Sequence, residues 1–148
     1  MSRRTITLGT WEGQPIEWLV LKEESFGTLV ICKRNIGTHK FNYDRKVDWK
    51  SSYLRGMLNN DFFNSAFNDE EKKKIVNVCI DSVKDDVFIL SLQEYCNLTT
   101  NEDYFETWCW TKSSFNGNRL YVFGANQSAG ADPSECHCVR PAMYIREK

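Results

Sequence analysis

Three kinds of residue in this chain have the type and spacing to do chemistry. Cys136-His137-Cys138 places two thiols and an imidazole within three residues, a donor set that suits zinc or copper. A structural zinc site, however, takes four ligands, with its cysteines usually about two to four residues apart, and the remaining donors form no second pair. In an extended segment Cys136 and Cys138 point to one face and His137 to the other. The three are not expected to meet at one ion, so no metal is expected. His39 stands beside Lys40 in a polar stretch with no nucleophile pattern near it, which reads as a surface histidine and not a proton shuttle. Paired carboxylates for acid–base work, a glycine-rich phosphate loop and a nucleophile elbow are all missing, and Gly117 and Gly124 are isolated. Neither enzymatic activity nor a cofactor is expected.

The third kind is aromatic: Trp108, Trp110, Phe115, Tyr121 and Phe123. Such side chains offer contact area at small entropic cost and can stack on sugars or anchor a protein partner. They also pack cores. Trp108 and Trp110, two apart, share one face of an extended chain and suit the core, whereas Phe115 and Tyr121, among polar residues, suit exposure and burial equally.

The elements that position these residues begin with a β-rich N-terminus. Ile6-Thr7-Leu8, Ile16 to Leu21 and Phe26 to Cys32 are separated by turn residues, which predicts a hairpin or meander over the first 35 residues. Asp48 is placed to cap a helix with Tyr53, Leu54, Met57 and Leu58 along one face. Asn68 with Glu71 and Ser91 with Glu94 are capping-box pairs opening two further short helices. Ile75 to Ile80 and Val87 to Leu90 read as strands or buried connectors. From Asn97 onward Asn, Thr, Ser and Gly are dense, and only Arg119 to Phe123 and Val139 to Ile145 look like strands. This half is expected to be loop-rich, with any working surface between residues 108 and 138.

The chain's 148 residues suit one domain, and five Trp, six Tyr and nine Phe supply large core side chains. A net charge of -1 gives no general field for polyanions, so neither nucleic acid nor membrane is an expected partner. No apolar run approaches the roughly 20 residues that span a bilayer, and residues 1–13 lack the apolar core of a signal peptide, so a cytoplasmic location is expected. Six scattered cysteines read as free thiols.

In order, Ile16-Glu17-Trp18-Leu19-Val20-Leu21, the stretch from Asp48 to Phe62, Ala66-Phe67-Asn68-Asp69-Glu70-Glu71, the stretch from Asp86 to Glu94, and Val139-Arg140-Pro141-Ala142 resemble an uncharacterised bacterial and phage domain family. That family carries I-E-W-x-V-L, W-x-x-S-x-L-R-x-W-L-N, A-F-x-x-E-E, V-F-L-L-S-x-x-E, W-W-L-R-S and G-V-R-P-A. Here Met57 stands in place of the usual Trp, Cys109-Trp110-Thr111-Lys112-Ser113 in place of W-W-L-R-S, and Cys138 in place of the Gly before V-R-P-A. The family is similar to the C-type-lectin-like variable proteins of diversity-generating retroelements.

The resemblance implies an α+β, C-type-lectin-like fold over residues 1–148. Small antiparallel sheets and two or three short helices would carry the loop-rich C-terminal half, with the strands near Ile16 and Met143 paired. It also implies a non-catalytic module that shows residues 108–138 to a protein or glycan, diversified at exposed positions. The surface expected to bind comprises Trp110, Phe115, Asn116, Asn118, Tyr121, Phe123, Asn126, Asp132 and His137. Asp132-Pro133-Ser134 lacks the Glu-Pro-Asn type of motif with which true C-type lectins hold calcium, so no calcium is expected. The alternatives are an assembly component of a phage or bacterial complex and, less favoured by the spacing of Cys136 and Cys138, a copper-dependent oxidase-like enzyme.

Overall fold

The computed structural model describes residues 3–100, 103, 108–124 and 127–147. The N-terminal runs form the predicted meander of β1 (Thr5–Trp11), β2 (Gln14–Glu24) and β3 (Gly27–Cys32). Between the paired Trp11 and Gln14, Glu12 and Gly13 take φ of 52° and 78°, the left-handed turn whose twist matches a two-residue hairpin. A bulge interrupts β1 between Thr7 and Thr10, and here Gly9 is required. Its φ is +83°, a Cβ would lie 2.6 Å from the Phe67 ring, and its N–H donates to Glu71 at 3.0 Å.

The helical stripe forms, but Ser52 caps it in place of Asp48. The Ser52 hydroxyl accepts from the Arg55 N–H at 3.1 Å, while Asp48 closes a turn one step earlier by accepting from Ser51. α1 (Tyr53–Met57) runs through a π-helical stretch, Leu58–Phe62, into α2 (Phe63–Ala66). The widening falls where the Asn59 and Asn60 side-chain amides donate to the Arg55 and Gly56 carbonyls at 3.0 and 2.9 Å and compete with the helical ladder. Leu54, Met57, Leu58 and Phe62 are buried, whereas Tyr53 faces water. α3 (Asp69–Lys72) and α4 (Leu92–Leu98) start at the two predicted capping boxes. β4 (Thr38–Lys40) precedes α1, and between α3 and α4 lie β5 (Ile75–Val76) and a hairpin of β6 (Val78–Ile80) and β7 (Val83–Asp85). Val87 to Leu90 are fully buried and, among the described residues, make a single bridge, Phe88 to Ala142, and so form a connector.

The C-terminal half is not loop-rich. β8 (Cys109–Phe115), β9 (Arg119–Gly124), β10 (Gln127–Ala131) and β11 (Cys136–Cys138) join β4 in a sheet of order β10-β9-β8-β11-β4. Two features hide these strands from a pattern reading. β8 carries two extra residues between Trp110 and Ser114, breaking the period of two, and β10 is Gln-Ser-Ala-Gly-Ala, with no β-branched or aromatic residue.

β12 (Ala142–Ile145) joins the first sheet, of order β1-β2-β3-β12-β5. Its partner is β3, with Met143 opposite Val30, and not the strand holding Ile16, because β1 and β3 already occupy both edges of β2. The two ends of the described chain nevertheless meet where the Arg4 guanidinium donates to both carboxylate oxygens of Glu147, at 2.6 and 2.9 Å.

β3 is buried on both faces and divides the core. Val30 and Cys32 enter a cluster with Trp18, Phe41, Phe62 and Trp110, while Leu29 and Ile31 enter one with Phe88, Tyr95 and Phe123. Each fully buried side chain of this size contributes about 1.5–3 kcal/mol of transfer free energy. No helix among the described residues is long and apolar enough to cross a membrane.

Candidate ligand-binding face

Strand register sorts the residues expected at the surface. Leu120 and Val122 occupy one face of β9, and Arg119, Tyr121 and Phe123 occupy the other. Trp110 pairs with Val122 on the first face and is 0% exposed. Its indole N–H donates to the His39 carbonyl at 2.7 Å, and its ring packs 5.7 Å from Phe41. Phe123 is 4% exposed and stacks on Tyr95 of α4 at 5.0 Å. The expectation that Trp110 and Phe123 are displayed is therefore corrected: one packs against Phe41 beneath the sheet, and α4 covers the other. Trp108, expected in the core, is 39% exposed just before β8 begins, and its carbonyl accepts from the Cys138 N–H.

Toward the hairpin end of the Tyr121 face this cover stops. Phe115 and Tyr121 are half-buried and meet edge to face at 5.2 Å. Gly130, opposite Tyr121 in β10, lets the Phe115 ring lie against the strand, since a Cβ there would be 3.0 Å from the ring. Arg119 donates to the Gly130 carbonyl at 3.2 Å. At the turn Asn116 and Gly117 take φ of 55° and 75°, and Asn116 and Asn118 are exposed. Asparagine tolerates the left-handed region better than most residues, so this sequence suits its turn. Four of the nine expected residues thus gather at one hairpin tip: Phe115, Asn116, Asn118 and Tyr121.

Of the remaining three, Asp132 and His137 lie apart from them. Asn126 falls outside the described residues. Asp132 accepts from the Ser134 hydroxyl and N–H at 2.6 and 2.9 Å, chiefly the hydroxyl holding its carboxyl below the ordinary range, and Arg45 lies 3.6 Å away. His137 sits opposite His39 across the β11–β4 ladder, its Nε2 3.0 Å from Glu135 and its ring edge-on to Trp110. His39 is half-buried, which corrects the surface reading and pushes its pKa down. Cys136 and Cys138 alternate with His137 along extended β11. All six cysteines are unbridged, and burial raises the Cys32 thiol to about 11.

The residues that carried the family resemblance converge elsewhere, on Asp85. The Trp49 indole N–H donates to this buried carboxylate at 2.8 Å and Arg55 Nε at 2.7 Å. The Asn59 carbonyl oxygen accepts from the Asp86 and Val87 N–H groups at 2.9 and 3.0 Å, while its amide donates to the Val87 carbonyl at 2.8 Å. Trp49, Arg55 and Asn59 therefore clamp the helix and the turn before it to the end of β7 and the two residues that follow. Arg140 is buried and donates to the carbonyls of Cys32, Asp103 and Lys33, tying the last strands to the first. Asp85 itself could not be singled out from sequence, because it is 30 residues from Arg55 with no local pattern linking them. The exposed pair Tyr43 and Tyr53, 4.8 Å apart edge to face, was likewise missed.

A family model described as a domain of unknown function (DUF6273) matches residues 17–147. The chain belongs to this family. The match takes in the clamp, the hairpin and the last strand of this DUF6273 domain. No curated protein and no solved structure matches the chain.

Proposed function

We propose that this DUF6273 domain is a non-catalytic binding module of C-type-lectin-like architecture that meets a protein or glycan at the tip of the β8–β9 hairpin. The observation that carries the reading is the half-buried pair of Phe115 and Tyr121, flanked by exposed Asn116 and Asn118, on strands anchored through Trp110 and Phe123. An aromatic pair with amide neighbours on a fixed base offers contact area and adaptable hydrogen bonds with little to reorder on binding. The lectin-like architecture is supported by a last strand that returns to the sheet of the first strands and by the Arg4–Glu147 closure. In this reading the exposed polar and aromatic positions between residues 115 and 138 are diversified.

The test is a glycan array together with capture of proteins from a bacterial surface fraction, comparing the native chain with Phe115→Ala and Tyr121→Ala. A ligand retained by the native chain and lost by both variants at unchanged melting temperature supports the reading; a ligand retained by the variants overturns it. Sequencing the flanking DNA tests diversification, through a near-copy of the stretch encoding residues 108–140 whose mismatches fall at template adenines.

One observation favours a role in assembly as the second reading. β10 is an edge strand with exposed Gln127, Ser128 and Ala129 and neither charge nor proline to discourage pairing. Concentration-dependent association in light scattering favours that reading.

A further inference from the structure

A cleft of about 860 Å³ opens between the turn of the β8–β9 hairpin, the turn of the β6–β7 hairpin and the loop of residues 45–51. It is separate from the Phe115–Tyr121 pair: Ser114, which lines it, pairs with Leu120 and so faces the opposite side of the sheet from Phe115. The chain as a whole is nearly neutral, but residues 33–55 hold seven Lys and Arg against two Asp. Arg45, Lys46 and Lys50 from this segment reach the cleft, and Lys112 joins them from β8 with its ammonium 5.3 Å from the Phe88 ring centre.

The carboxylates present are largely engaged. Asp85 is held by Arg55 and the Trp49 indole, and Asp48 accepts from the Ser51 N–H and hydroxyl, leaving Asp81 at the hairpin turn. Val47, Ile80 and Val83 contribute aliphatic surface. Trp49 also lines the cleft, but its indole is pinned to Asp85 and packs against both core clusters. The surface is therefore basic and aliphatic and has little free aromatic face, which suits carboxylates alternating with apolar side chains better than nucleobases that need a ring to stack on.

We propose that this cleft binds an acidic peptide segment of a partner protein, with carboxylates at Lys46, Lys50 and Lys112 and aliphatic side chains against Val47, Ile80 and Val83. Rows of exposed lysines attract acidic segments and speed encounter in a salt-dependent way, while the aliphatic surface supplies contact.

The test is fluorescence anisotropy with three labelled probes: a blocked octapeptide of alternating glutamate and leucine, its glutamine counterpart, and an eight-nucleotide oligothymidylate. The glutamate peptide is expected to bind, to weaken as salt rises, and to shift the methyl NMR signals of Val47, Ile80 and Val83. The double variant Lys46→Glu/Lys50→Glu, at exposed positions, weakens binding at least tenfold with the melting temperature unchanged. The charge-matched control Lys73→Glu/Lys74→Glu leaves binding within twofold. Equal binding of the glutamine peptide, equal loss in the control, tighter binding of the oligothymidylate, or no binding of the glutamate peptide each overturns the proposal.

Discussion

The helical clamp around Asp85 and the tip of the β8–β9 hairpin use similar residues to opposite ends. Both contain aromatic rings, asparagine and arginine. In the clamp the polar side chains have protein partners: Trp49, Arg55 and Asn59 converge on Asp85 and the backbone beyond it. At the tip Asn116 and Asn118 face water and the Phe115–Tyr121 pair is half-open. The contrast teaches that the strongest motifs in this chain are structural, and that the residues free to meet a ligand carry no motif. A buried polar group must be satisfied locally, which fixes residue type and spacing, whereas an exposed one is satisfied by water and leaves its type open.

The largest loss is expected on truncating the ring that anchors the hairpin. Trp110→Ala is expected to cost about 3–5 kcal/mol, read from urea denaturation midpoints, because it empties a fully buried site between Phe41 and Val122; a loss below about 1 kcal/mol would return Trp110 to the surface. In the clamp, Asn59→Ala is expected to cost about 2–3 kcal/mol by the same measurement, since the Asp86 and Val87 N–H groups lose their acceptor.

His39, in β4 beside the buried Trp110, makes stability depend on pH. Burial holds its pKa below the ordinary 6.5, so the unfolded chain takes the proton first as pH falls. This contribution to stability is complete above about pH 6.5 and declines as pH drops toward the folded-state pKa. His39→Gln should flatten that part of a denaturation series; an unchanged slope would show that other groups set it. The smallest effect belongs to the tip, where Tyr121→Ala is expected to change stability by less than about 1 kcal/mol while weakening ligand binding. A larger thermal loss would make the pair part of the core.

The legibility of each region followed its kind of signal. The N-terminal meander and both capping boxes were readable because their causes lie within a few residues: turn types, β-branched runs and side chains that reach their own backbone. The cap at Ser52 was misplaced by four residues because Asp48 offers the same chemistry one turn earlier. In the second sheet β9 is legible from its residues, whereas β8 and β10 are not, because the bulge in β8 and the small residues of β10 carry no alternation. Of the proposed surface, Phe115, Asn116, Asn118 and Tyr121 came together, whereas Trp110 and Phe123 went to the core.

By itself the sequence determined the family and the mostly local elements, since short-range hydrogen bonding and turn geometry are written in neighbouring residues. Only the tertiary structure decided that β3 lies between β2 and β12, that Asp85 receives Trp49 and Arg55, and that the cations of residues 45–50 share a cleft with Lys112. Apart from the β2–β3 hairpin, these are contacts between residues 30 or more apart in the chain, chosen by which strand edges and apolar faces remain open once the local elements have formed, and no local pattern encodes that choice.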